Sequence, residues 1–289
     1  LDARKNEIWS NDVSLAKSVG GIIPEANKES GDLLDEVANL LETGKPVLGE
    51  FEAQYLNLPK EVLITVMKKH QRYFPVENKA NGELLNNFVT FANGPCDVSA
   101  VKAGNEAVLR ARYQDAKFFY ENDCKETLET LRPKLEGITF QTELGSMLKK
   151  TERVEILAPK VAAALGYGDE TSIVNMATKA ARLARADLAS SMVMELNSLA
   201  GVMGEHYAKK CDKLDDTTSK AIFEANLPRF SGDSIASTAP GIVATIADKA
   251  DTLVGLFAVV GAPKATADPF GLRRTAYGLV QTLVNNDLQ

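Results

Sequence analysis

The sequence predicts an α+β fold that is mostly helical, with an α/β front domain over residues 1–137 and an all-α domain over residues 138–289. Three observations carry this expectation. The strongest hairpin signal of the chain, Asn81-Gly82, lies between two extended runs, His70–Val76 and Phe88–Ala92. Val108–Asp123 is the longest uninterrupted helix signal of the first half and marks the joint between the halves. Beyond Phe140 the strand signals vanish, and apolar residues recur only at helical spacing.

The front half is legible in pieces. Val13–Val19 reads as a short helix closed by Gly20-Gly21, and Gly31–Glu42 as an amphipathic helix with Leu34, Val37, Ala38 and Leu41 on one side. Pro46–Phe51 reads as a short strand. Leu58-Pro59-Lys60-Glu61 opens a helix, since proline suits a first helical turn. That helix buries Val62, Leu63, Val66 and Met67, and the chain turns extended over HQRYFPV before Pro75. In the joint helix Asn105 is the expected N-cap, and Leu109, Ala116, Phe119 and Tyr120 form the buried stripe. Arg110, Gln114, Lys117 and Glu121 line another face, and Arg112 is within reach of Asp115.

The back half reads as helix after helix. Leu128–Leu135 is interrupted at Pro133, and Gly137–Phe140 forms an extended connector. Ser146–Leu165 should kink or divide at Pro159. Thr171–Leu196 reads as one long helix. Leu199–Ala208, Ser219–Leu227, Gly241–Val260 and Phe270–Val284 follow.

Composition narrows the function. A net charge of −6 argues against general binding to polyanions but leaves room for a local basic patch. Cys96, Cys124 and Cys211 are widely spaced, which implies free thiols in a reducing compartment and no zinc signature. No run is apolar enough to span a bilayer. Leu1 is no initiator, so a longer parent protein is expected. The two histidines, His70 and His206, precede Gln71 and Tyr207, so the adjacent His-Asp pair of HD-type metal phosphohydrolases is missing. No glycine-rich phosphate loop, GxSxG or cysteine–histidine–carboxylate set occurs. No catalytic residue and no metal site are therefore expected.

Two constellations remain. His70-Gln71-Arg72-Tyr73-Phe74 reads either as a helix C-terminus with a cation beside the dipole and two aromatics packed inward, or as an RNA contact. In the second reading Arg72 meets phosphate, and His70 or an aromatic stacks. In Asp268-Pro269-Phe270-Gly271-Leu272-Arg273-Arg274, Asp268 reads as an N-cap and Pro269 as the first helical residue. One of Arg273 and Arg274 is expected to pair with Asp248 or Asp251, and the other to be free for phosphate. Arg274 is placed with Asp248 and Asp251 as structural. Arg273 joins His70, Arg72, Arg110, Arg112 and Lys117 as candidate RNA contacts.

The ordered blocks EVLITVMKKHQRYFPV, NEAVLRARYQDAKFFYEND, LEGITFQTELGSM, LPRFSGD, ADKADTLVGLF and DPFGLRR cover nearly the whole chain. Together they resemble the β subunit of the bacterial-type glycyl-tRNA synthetase. DPFGLRRTAYGLVQTLV looks more like the fused α–β form of plant and algal organelles. The resemblance implies a segment that supports tRNA binding and aminoacylation, while an α part absent here activates glycine with ATP and magnesium. It implies a front region similar to part of the phenylalanyl-tRNA synthetase β chain and a back region that is HD-like without the metal-binding histidines, with an anticodon-binding domain beyond Gln289. The implied partners are the α subunit or domain and tRNA(Gly), in an α2β2 or fused dimeric enzyme with no membrane. The implied location is chloroplast or mitochondrion for a plant or algal source and cytoplasm for a bacterial one. Thr43-Gly44-Lys45 replaces the acidic stretch expected there, and Pro159 interrupts a helix. Competing readings are a degenerate HD-type nucleotide phosphohydrolase and a non-catalytic scaffold module of an organellar complex.

Overall fold

In a computed structural model, which describes residues 2–24, 32–264 and 266–288, the chain forms two compact units, Leu1–Tyr120 and Glu121–Gln289. The described residues are mostly helical, with one four-stranded sheet and one small hairpin.

The front unit is built on the sheet. Its strands are β1 (Gly21–Ile22), β2 (Gly44–Glu50), β3 (Phe74–Asn78) and β4 (Leu84–Asn93). They pair antiparallel in the order β1-β3-β4-β2, so the unit is α+β rather than a parallel α/β layer. The Asn81-Gly82 turn joins β3 to β4, with Gly82 at φ +68°, a left-handed value that glycine adopts at no steric cost. On one face, alternate residues Phe74 and Val76, with Val89, meet α1 (Asp2–Ser18) and α2 (Asp32–Leu40). Ile8, Ala16, Leu34, Val37 and Ala38 complete that core. α1 begins well before the expected Val13. The expected start of α2 at Gly31 lies outside the described residues. On the other face Phe88 lies over its cross-strand partner Gly49, where a Cβ would stand 2.2 Å from the ring. Tyr73 stacks on Phe88, centroids 4.6 Å apart.

The helix opened by Pro59 is α3 (Lys60–Thr65). It continues as a π-helical turn over Val66–Gln71, where an extended run was expected from His70. The joint helix, α4 (Val98–Asp123), starts ten residues before the expected Val108. Asp97, not Asn105, serves its first turn: its carboxylate accepts from the Ser99 amide at 2.9 Å and the Ala100 amide at 3.4 Å. The fully buried residues of its stripe are Leu109 and Tyr113, with Ala116 and Tyr120 close behind, while Phe119 is only half-buried. Tyr113 packs edge-on to Phe51 and donates its hydroxyl to the Leu63 carbonyl at 3.2 Å.

The regular structure of the second unit's described residues is helical apart from the hairpin of β5 (Thr139–Gln141) and β6 (Gly145–Ser146) and an isolated bridge between Lys264 and Ala267. Its helices are α5 (Leu128–Leu131), α6 (Met147–Ala164), α7 (Thr171–Leu183), α8 (Ser191–Glu195), α9 (Val202–Lys210), α10 (Asp216–Glu224), α11 (Ala239–Val260) and α12 (Leu272–Asn285). α6 runs unbroken through Pro159. The helix expected over Thr171–Leu196 instead ends at Leu183 and restarts at Ser191, where the Ser190 hydroxyl caps the Val193 amide. The organising element is α11, which packs against α6, α7, α10 and α12 and is buried from Pro240 through Lys249.

Candidate nucleic-acid interface

At the end of the π-helical turn the side chains of Lys68, Lys69 and His70 precede Arg72, which sits at φ 58° and ψ 39°. That left-handed conformation is uncommon for a residue with a Cβ. It reverses the chain out of the helix, and the Tyr73 amide then reaches back to the Met67 carbonyl at 2.9 Å. Arg72 Nε lies 2.6 Å from Glu36 Oε1 of α2, an exposed pair. His70 is half-buried. Tyr73 and Phe74 are buried in the two faces of the sheet, so the aromatic half of the stacking reading fails and only His70 remains for it. A groove of about 300 Å³ runs beside this pair, lined by Leu33, Glu36, Ile64, Thr65, Lys68 and Lys69. Lys68 and Lys69 are additions to the candidate set. The Lys-Lys-His run was the available signal for them.

The α4 cations flank its buried stripe on opposite sides. At about 100° per residue, Arg110 and Lys117 fall on one side and Arg112 on the other. Arg110 pairs through Nε with Glu52. That contact and its hydrogen bond push the arginine further up and hold Glu52 down, with a backbone hydrogen bond the first cause for the acid. Arg112 and Asp115 are both exposed, and no ion pair joins them among the described residues. Arg112 therefore presents its guanidinium to solvent.

In the helical unit Asp268 does not act as an N-cap and Pro269 is not the first helical residue. The residue before α12 is Gly271, in the left-handed region at φ 64°. Asp268 reaches over that turn to accept from the Leu272 amide at 2.8 Å and the Arg273 amide at 2.9 Å. Those backbone hydrogen bonds hold its carboxyl below the usual range. Arg273 donates to the carbonyls of Pro263 and Lys264, which ties it to the preceding loop.

Among the described residues Asp248 and Asp251 form ion pairs with Lys150, Arg153 and Arg185, and none with Arg274. Lys150, 3% exposed, lies 3.1 Å from Asp248 and 3.4 Å from Asp251. Arg185 donates to Asp248 at 2.8 Å and to Asn226 at 2.7 Å. Arg153 binds Asp251 in a fork at 2.7 and 3.1 Å. Burial alone would raise the Asp248 carboxyl, yet Arg185 and Lys150 outweigh it and hold the group far below the carboxylate range. The same burial, aided by Arg185, Lys150 and Arg274, pushes Lys249 down to about 8. Asp187 is driven up to about 6 by burial, against the opposing amides of Gly201 and Gly204.

This network went unseen because Lys150, Arg153 and Arg185 are distant in sequence and look like ordinary surface residues of amphipathic helices. Its consequence is chemical: the acids of the Ala247–Asp251 run are neutralised by side-chain cations and are not open for a metal ion. Among the described residues no group of three or more histidine, cysteine or acidic side chains is gathered as a metal-holding set. None of their helices is long and apolar enough to cross a membrane.

The sequence profile of the family described as glycyl-tRNA synthetase beta subunit matches residues 1–289. The chain is 45% identical over 289 residues to glycine–tRNA ligase, chloroplastic/mitochondrial 2, of Arabidopsis thaliana, covering 99% of this chain and 26% of that protein. It is 43% identical over 283 residues to the glycine–tRNA ligase beta subunit of Clostridioides difficile, covering 98% and 40%. It is 42% identical over 257 residues to the Bacillus subtilis beta subunit, covering 89% and 37%. The chain thus spans only a quarter to two fifths of the length of these relatives.

Proposed function

Since the chain belongs to the glycyl-tRNA synthetase beta subunit family, we propose that it is the part of a glycine–tRNA ligase that supports tRNA binding and aminoacylation. Glycine activation is assigned to an α subunit or domain outside this chain. ATP and magnesium belong to that part, and no residue here is given the task of holding them. The partners are the α part and tRNA(Gly), in an α2β2 or fused dimeric enzyme. The location is a chloroplast or mitochondrion for a plant or algal source and the cytoplasm for a bacterial one. A chloroplastic/mitochondrial relative in Arabidopsis and a bacterial one in Clostridioides suit both possibilities. The front unit is taken as the counterpart of part of the phenylalanyl-tRNA synthetase β chain. The back unit is taken as an HD-like helical domain whose acidic run has become a structural ion-pair core.

The observation that carries this reading is the family match along the whole chain. The side chain that best expresses it is Arg112, an exposed guanidinium on α4 that no carboxylate neutralises among the described residues. Arg72 and Arg110 are second in line. Each is held by an acid near the surface, in a pair that solvent screens and a phosphate can displace. Lys117, His70 and Arg273 complete the set, Arg273 last because its guanidinium already serves two carbonyls.

The test is made in the purified enzyme containing both α and β parts. Arg112→Ala is expected to raise the Michaelis constant for tRNA several-fold while leaving glycine-dependent pyrophosphate exchange unchanged. Normal tRNA affinity in that variant, with only a lowered melting temperature, overturns the assignment.

A further inference from the structure

The groove beside Arg72 is formed by two helix faces of the front unit. Leu33 and Glu36, three apart on α2, supply one wall. The other comes from Ile64, Thr65, Lys68 and Lys69, which recur four apart along α3 and its π-helical continuation. Leu33, 4% exposed, and the half-buried Ile64 give the groove its apolar surface. At about 300 Å³ it stands at the lower end of small-ligand pockets, with room for one nucleoside and none for a stack of bases. Arg72 stands at its rim, with Nε 2.6 Å from Glu36 Oε1. The lining residues and Arg72 thus set the cations Lys68, Lys69 and Arg72 against the single carboxylate of Glu36. That excess of positive charge on a protein of net charge −6 favours an anionic occupant here.

We propose that this groove receives a single unpaired guanosine of an RNA, a proposal that rests on the tRNA-binding role above and gives it a site of base recognition. The base lies against Leu33 and Ile64, and its flanking phosphates meet Lys68, Lys69 and Arg72. A phosphate takes Arg72 from Glu36, because solvent screens that exposed pair. The Glu36 carboxylate then loses its cation and turns to the edge of the base.

The choice of base follows from Glu36. An ionised carboxylate only accepts hydrogen bonds, so the edge it meets must offer donors. Guanine places N1–H and its N2 amino group side by side, which match the two carboxylate oxygens. Adenine and cytosine set one amino group beside a bare ring nitrogen, which would face a carboxylate oxygen acceptor to acceptor. Uracil flanks its single N3–H with two carbonyl oxygens. The Thr65 hydroxyl, on the same lining, can donate to guanine O6. The nucleotide has to be unpaired, since in a duplex the partner base occupies the same edge.

The experiment uses the purified enzyme containing both α and β parts and reads fluorescence anisotropy with the labelled oligoribonucleotides UUGUU, UUAUU, UUCUU and UUUUU. UUGUU is expected to bind about tenfold tighter than the others, within the range of a bidentate side-chain contact to a base. Glu36→Gln should abolish that preference, because its amide sets a donor against guanine. Lys69→Ala should weaken all four alike and keep the preference, as the loss of a phosphate contact requires. Equal affinity for the four oligonucleotides overturns the inference, as does a guanine preference that survives Glu36→Gln. Free GMP that competes as tightly as UUGUU overturns it too, since the occupant is then a mononucleotide and not RNA. These outcomes strike the groove alone when tRNA(Gly) affinity keeps its dependence on salt and on Arg112. A tRNA affinity that ignores both strikes the proposed function, whatever the oligonucleotides show.

Discussion

Arg72 carries two opposed demands. Its backbone, at φ 58°, favours glycine, while its side chain bonds Glu36. The left-handed conformation costs a residue with a Cβ about 1 kcal/mol, and the exposed pair returns about 0–1 kcal/mol. Arg72→Gly and Arg72→Ala both delete the pair, but only the first relieves the backbone. Thermal melts are expected to place the glycine variant about 1 kcal/mol above the alanine one, and equal stability would show that the turn holds no such strain. Asp12 is a second residue whose burden is measurable. It is fully buried in α1, its carboxylate finds no partner among the described residues, and burial pushes it up to about 8. An acid raised in the folded state keeps its proton there longer than in the unfolded chain. Its contribution to stability is therefore fully present below about pH 4 and is lost as pH rises through about 8. The slope over that window is about 1.4 kcal/mol per pH unit. Asp12→Asn should flatten the fall of melting temperature between those limits, and an unchanged profile would contradict the burial argument. Sequence alone showed neither feature, because positive φ at an arginine and a buried aspartate both arise from contacts made by distant segments.

Elements were legible where local signals were strong. The Asn81-Gly82 hairpin, the helix opened at Pro59 and the helices after Phe140 follow from turn chemistry and periodicity. The misreadings occur where a tertiary contact replaces a local one. α4 starts at Asp97 because that carboxylate takes two amides, whereas Asn105 only looked like a cap. The helix from Thr171 stops at Leu183 because Asp187 turns inward to the amides of Gly201 and Gly204. The start of α11 shows the same logic. Glu224, buried at the end of α10, accepts from the Ser237 and Thr238 amides at 3.1 Å each and from both hydroxyls. Its carboxylate thus gathers the donors before α11. Gly241 permits this approach: a Cβ there would lie 1.9 Å from Glu224 Oε2. Gly241→Ala is expected to destabilise the helical unit by about 1–3 kcal/mol, the usual cost of overpacking a tight core. Denaturant titration measures it, and a neutral result would mean that the carboxylate yields without loss.

At the scale of the molecule, a net charge of −6 makes any contact with RNA depend on where its cations sit. The ordered sequence blocks identified the family, and the profile match over residues 1–289 establishes it. The candidate RNA residues were only partly legible. Sequence spacing found Arg72, Arg110 and Arg112 but could not tell that Glu36 and Glu52 neutralise the first two. It also missed that Lys150 and Arg185 are consumed by Asp248. The central claim, that this segment holds tRNA through local cations, is tested most directly by measuring tRNA(Gly) affinity for the full protein at several salt concentrations. Log affinity is expected to fall linearly with log salt. Arg112→Ala should weaken binding and reduce the slope by about one, as the loss of one phosphate contact requires. An affinity independent of salt, or an Arg112→Ala variant with the original affinity and slope, would contradict it.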